Sequence, residues 1–114
     1  MMTFINRSDI EKNPNILMKF LIGPWNSESS FEFAVGEMEP GAKSEYHYHE
    51  NVEEVLYIIE GRLSINMDGK ISEMLPGMAV FIKPGVKHTI DVLEKTYMIG
   101  VKNPSDASDK HIVE

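Results

Sequence analysis

The sequence predicts an all-β sandwich or barrel. Three observations carry this expectation. Short segments rich in Val, Ile, Phe and Tyr recur along the chain. Turn residues, mostly Gly, Pro and Asp, separate them every six to twelve residues. Apart from one turn near the start, no segment repeats its apolar residues at helical spacing.

Taken in order, residues 8–12 (SDIEK) place Ser8 three residues before Glu11, the signature of a capping box, and Pro14 limits that helix to one turn. The apolar run 16–22 (ILMKFLI) stops at Gly23-Pro24 and is expected to be a strand, buried on both faces or packed on a partner subunit. A polar loop, WNSESS (25–30), leads to FEFAVGEM (31–38), which alternates as a strand does, and Glu39-Pro40-Gly41 is a turn. SEYHYH (44–49) is the next strand, followed by a short loop at Glu50-Asn51. VEEVLYIIE (52–60) and RLSIN (62–66) read as two strands with a turn at Gly61. Asp68-Gly69 is a strong hairpin signal between RLSIN and KISEML (70–75). Pro76-Gly77, MAVFI (78–82) and Pro84-Gly85 give turn, strand, turn, and HTIDVL (88–93) and TYMIGV (96–101) are the last strands. The polar tail 103–114 is expected to be partly disordered, with His111 solvated.

At 114 residues the chain is sized for one domain, 1–114: an N-terminal turn, strand and loop (1–30), the barrel (31–102) and the tail (103–114). There is no cysteine, which removes disulfides, thiolate zinc sites and cysteine nucleophiles. No apolar run approaches the ~20 residues a membrane-spanning helix needs, and the first residues do not read as a signal peptide, so a cytoplasmic protein without a membrane partner is expected. Eleven basic against 18 acidic side chains leave a net charge of −7. That balance argues against nucleic acid, whose binding relies on clustered Lys and Arg.

The chemistry concentrates in Gly41 to Gly61. His47 and His49 stand two apart, so on a strand both imidazoles face one point, and Glu54 on the next strand can join them. Neutral imidazoles and a carboxylate suit divalent transition metals. His88, placed at a strand start by Pro84-Gly85, is the candidate fourth donor. A His-x-His pair alone often means nothing; three histidines and a carboxylate framed by glycines mean more. With Glu54 inward, Leu56 and Ile58 also face inward, while Val55, Tyr57 and Ile59 face outward. Tyr57, Tyr46 and Tyr48 then lie on an outer face covered by other strands or by a second subunit. Met38, Met67, Met74, Met78 and Met98 are expected to pack the barrel rather than bind metal.

These spacings resemble the cupins, small barrels of the double-stranded β-helix or jelly-roll type. Their first motif, G-x5-H-x-H-x(3,4)-E-x6-G, is met by Gly41, His47, His49, Glu54 and Gly61. Glu53 would fit the shorter gap but leave seven residues before Gly61, so Glu54 is preferred. Of the second motif, G-x5-P-x-G-x2-H-x3-N, Gly77, Gly85 and His88 match, while Lys83 replaces the Pro and Val92 the Asn. The resemblance implies one divalent ion (Fe, Mn, Ni or Zn) held by His47, His49, Glu54 and His88. It also implies a small-molecule ligand or substrate and a homodimer. The function it implies is a metal-dependent enzyme of dioxygenase, isomerase, lyase or cyclase type acting on a small polar molecule. A non-catalytic small-molecule or metal sensor is the alternative, and no catalytic residue beyond the four donors is named.

Overall fold

The computed structural model describes residues 2–13 and 16–114. Its strands are β1 (Met18–Ile22), β2 (Glu32–Met38), β3 (His47–Tyr48), β4 (Glu53–Met67), β5 (Lys70–Met74), β6 (Ala79–Ile82), β7 (His88–Asn103) and β8 (His111–Ile112). The only helical element among the described residues is a 3-10 turn at Arg7–Asp9. Its cap is Asn6, whose side-chain oxygen accepts the Ser8 amide at 2.9 Å, not Ser8 itself. The chain is extended again at Ile10, before Glu11 could reach back to close a capping box. Pro14, expected to end this turn, lies outside the described residues.

The expected turn at Gly61 and the expected break between the strands 88–93 and 96–101 are absent, because β4 and β7 are single long strands. They pair antiparallel over nearly their whole length, from Glu53 opposite Asn103 to Met67 opposite His88. The ladder slips between Ile58 and Leu63, where Gly61 adopts φ +97. That is a bulge, which bends a strand without ending it. A side chain at Gly61 would collide with the Lys95 carbonyl and Thr96, so glycine is required by close approach as well as by φ. The fully buried Thr96 hydroxyl takes the Arg62 amide at 3.1 Å and donates to the Glu94 carbonyl at 2.8 Å. Polar groups freed by the bulge are thereby satisfied.

Each bent strand serves two sheets. The first half of β4 pairs with β6 and with the last half of β7, which continues through β2 to β1. The second half of β4 pairs with β5 and with the first half of β7, which continues through β3 to β8. The β4–β5 hairpin closes through Asp68 and Gly69, at φ 51 and φ 89, the two positive values a type I′ turn needs.

Between the sheets lies the core: Met38, Leu56, Ile58, Leu63, Ile65, Met74, Ile82, Ile90, Val92 and Met98. Each fully buried Leu or Ile contributes about 1.5–3 kcal/mol. The methionine expectation holds at Met38, Met74 and Met98 and, partly buried, at Met67, but not at Met78. Met78 is exposed in the turn before β6, and its sulfur accepts the Leu75 amide at 3.3 Å. Alternation along β4 is as expected, with Glu54, Leu56 and Ile58 buried and Val55, Tyr57 and Ile59 exposed. β1 is an edge strand beginning at Met18, and of its five residues only Leu21 is buried, so this chain does not bury it on both faces.

The tail is ordered into the fold. β8 lies beside β3, with Ile112 opposite His47 and the Val113 amide donating to the Tyr46 carbonyl at 2.9 Å. His111 is not a solvated side chain: its ring stacks on Tyr48 at 5.0 Å, and its Nε2 lies 3.1 Å from Asp109 Oδ1.

Candidate metal centre

The bend at Gly61 sits at one end of the sandwich. The start of β4, the end of β4 and the start of β7 therefore meet at the other end, and the sequence-predicted donors gather there. β3 is wedged between β7 and β8, which puts His47 opposite His88. His49 follows at once, and its carbonyl accepts the Gly85 amide at 2.7 Å, tying the Pro84-Gly85 turn to the His-x-His strand. Glu54 opens β4 between Ile82 on β6 and Lys102 on β7. Glu53 is exposed and Glu54 buried, so only Glu54 faces this cluster.

His47, His49 and His88 each bring one ring nitrogen within 4.8 Å of the others, and all three are buried. Their ring centroids lie 4.3 to 5.7 Å apart. Glu54 Oε1 stands 3.3 Å from His88 Nε2 and 3.8 Å from His49 Nε2.

The opposite ring nitrogens define the chemistry. His47 Nδ1 contacts the Glu45 carbonyl at 2.6 Å, His88 Nδ1 contacts the Val86 carbonyl at 2.9 Å, and His49 Nδ1 makes a short contact with the Asp109 carbonyl. A carbonyl oxygen only accepts, so each Nδ1 carries the proton. In the neutral ring Nε2 is then a bare lone pair, and His49 and His88 present theirs toward Glu54. His49 Nε2, His88 Nε2 and Glu54 Oε1 are buried with no hydrogen-bond partner among the described residues. Lone pairs facing a carboxylate without a proton between them repel, and a buried polar atom left unpaired costs about 1–3 kcal/mol. A cation removes both penalties.

Protonation leans the same way. Burial pushes His47 down to about 4, against the hydrogen bond to Glu45 and with help from His88 and His49. Burial also lowers His49, against its bond to the Asp109 carbonyl. For Glu54, burial acts upward, but His88, Lys102 and His49 outweigh it and hold the carboxyl below its ordinary value. The site thus favours neutral imidazoles at His47 and His49 and an ionised carboxylate at Glu54, the states that metals bind, while the His88 part of the Glu54 effect is a hydrogen bond whose proton an ion would replace. The donor set fits a divalent transition-metal ion.

Residues 34–99, more than half of the chain, match the cupin domain family. The chain belongs to the cupin family. A 51-residue stretch of this cupin is 33% identical to the polyketide synthase CurC of Streptomyces cyaneus, covering 45% of this chain and 33% of CurC. The match therefore spans only a third of that curated relative's length. The polyketide cyclase RemF from Streptomyces resistomycificus superposes with a TM-score of 0.81 at 23% identity, covering 100% of this chain and 87% of RemF. KdgF from Halomonas sp. superposes with a TM-score of 0.78 at 20% identity, covering 95% of this chain and 97% of KdgF. At these identities the two structures establish the double-stranded β-helix fold.

The departures from the second motif have structural sense. The Lys83 carbonyl accepts the Val86 amide at 3.3 Å, so the turn before His88 closes without Pro at that place. Val92 is a core residue, where an Asn side chain would have to find buried partners.

Two residues were not legible as part of this site. Lys102 shares the inward face of the sheet with Glu54, its neighbour in register, and its charge lowers both Glu54 and His49. Counting by twos from Met98 would have placed it inside. Asp109 sits in a polar tail with no pattern to mark it. Its carboxylate accepts the amides of Glu50, Asn51 and Val52 at 2.8, 2.8 and 3.1 Å. Those donors, Glu50 first, hold its carboxyl down to about 2.

Proposed function

We propose that this cupin binds one divalent transition-metal ion through His47, His49, Glu54 and His88 and acts as a metal-dependent enzyme on a small polar molecule. One observation carries the reading: three buried imidazoles whose Nδ1 atoms are committed to backbone carbonyls each bring a ring nitrogen within 4.8 Å of the others, and two of them, His49 and His88, turn Nε2 toward a buried carboxylate oxygen that lacks a hydrogen-bond partner among the described residues. A bound ion would supply Lewis-acid polarisation of a substrate oxygen or, as iron, dioxygen chemistry, at positions four protein ligands leave free. The chain's own contribution is to favour the deprotonated forms of His47, His49 and Glu54 and to exclude water behind the donors with Leu56, Ile58 and Ile82. Lys102 adds a positive charge at the inward rim that keeps Glu54 ionised. The presence of a polyketide synthase and a polyketide cyclase among the similar proteins supports an enzymatic use of this barrel. We further propose that the protein works as a homodimer, its apolar outer sheet covered by a second copy.

The test is elemental analysis of tag-free protein purified anaerobically. Wild type should carry stoichiometric metal, and His47→Ala and Glu54→Ala should carry none. Unchanged metal in both variants would sink the ligand assignment. Iron directs the search for a reaction toward dioxygenase chemistry; zinc, nickel or manganese directs it toward isomerase, lyase or cyclase chemistry.

A further inference from the structure

The loop between His49 and Glu54 joins two of the four donors, yet it is held from the far end of the chain. Three consecutive amides, those of Glu50, Asn51 and Val52, point at one carboxylate, that of Asp109. Asp109 is 5% exposed. The same residue's backbone carbonyl receives His49 Nδ1. Both grips belong to one residue, so they are geometrically coupled: fixing the side chain against the loop fixes where the carbonyl stands. β8 secures the other flank, through Ile112 opposite His47 and His111 stacked on Tyr48.

We propose that Asp109 is a positioning residue of the metal centre, its carboxylate clasping the loop 50–52 while its carbonyl fixes the orientation and tautomer of His49. The proposal rests on the reading of His49 as a metal ligand. Partners behind ligating histidines set ring direction and ligand basicity. The partners of His47 and His88 come from residues two positions earlier, Glu45 and Val86, and form locally. His49 alone depends on a partner 60 residues away. Glu50, Asp109 and His111 also bring donor atoms within 4.8 Å of one another, but Asp109's oxygens already accept three amides and face the His111 ring. That cluster is a structural knot rather than a second ion site.

Asp109→Ala tests the idea cleanly, because it deletes the clasp and leaves the carbonyl in the chain. The first readout is the side-chain 15N spectrum of metal-free protein above the histidine titration range. In wild type His49 should be protonated at Nδ1. In Asp109→Ala it should become a mixture of tautomers, with His47 and His88 unchanged. The second readout is Co(II) affinity by competition with a chromophoric chelator, which should fall about 10–100-fold. A folded variant with an unaltered His49 tautomer and unaltered Co(II) affinity overturns the proposal. So does a variant that is merely less stable while both readouts stay at wild type. If Asp109→Ala does not fold, Asp109→Asn keeps part of the amide bonding and decides by the same readouts, with a smaller loss expected. Should wild type itself fail to bind Co(II), the ligand reading falls, and the metal-free tautomer still decides the role of Asp109.

Discussion

His47 carries the clearest electrostatic consequence at the scale of a single residue. Its folded value of about 4 lies below the ordinary 6.5, because burial disfavours the imidazolium. Between those values the unfolded chain binds the extra proton, so stability rises with pH there. The contribution is complete above about pH 6.5 and is lost as pH falls toward 4. A shift of that size corresponds to on the order of 3 kcal/mol. His49 is lowered in the same direction and adds to the slope. Thermal melts of metal-free protein should therefore show a Tm that falls steadily from pH 7 to pH 4.5, with a shallower fall in His47→Gln. A flat profile in wild type would contradict the burial argument. That His47, His49, Glu54 and His88 would gather was legible from spacing, since period two and two turn motifs are local properties of a chain. Asp109 and Lys102 were not, because their roles come from register across the sheet and from a contact some 60 residues distant.

The element that decides the architecture is the bulge in β4. Gly61 reads as a turn in the sequence because a glycine between two apolar runs is the usual mark of one. What the sequence does not show is that Lys95 and Thr96 of β7 wait opposite, so the chain bends with its partner instead of reversing. The same partnership hides the continuity of β7 across Glu94-Lys95. The tail was misjudged for a related reason: β8 is two residues long and polar in context, and only its pairing with β3 makes it a strand. Gly61→Ala should destabilise the protein by about 2–4 kcal/mol, because positive φ and overlap with backbone act together. Gly69→Ala is the control. It has φ +89 with nothing within 4 Å, so only the conformational penalty of about 1–2 kcal/mol applies. Urea unfolding of the two variants measures the difference; equal midpoints would mean that the bend yields to a methyl group and does not set the fold.

At the scale of the whole molecule, one surface is poorly suited to water. On the first sheet the outward residues line up in register across four strands. Phe81, Val55, Val101 and Phe33 form one row, and Ala79, Tyr57, Ile99 and Val35 form the next. Phe81 is 56% exposed and Tyr57 41%. Contiguous apolar surface of this kind marks an interface, and such a sheet face can meet its own copy about a two-fold axis. The net charge of −7 opposes that meeting, so apolar burial must supply the attraction and salt should strengthen it by screening. Light scattering at micromolar concentration should give twice the 12.9 kDa chain mass, more firmly at 0.5 M than at 0.05 M NaCl. Phe81→Glu combined with Tyr57→Lys should yield monomer. Metal content should survive in that variant, because Glu54 and the histidines lie on the inward face of the same fold. A wild-type monomer at both salt concentrations would reject the second copy as the cover for this face. Loss of metal together with the dimer would instead mean that the two sheet faces are energetically coupled.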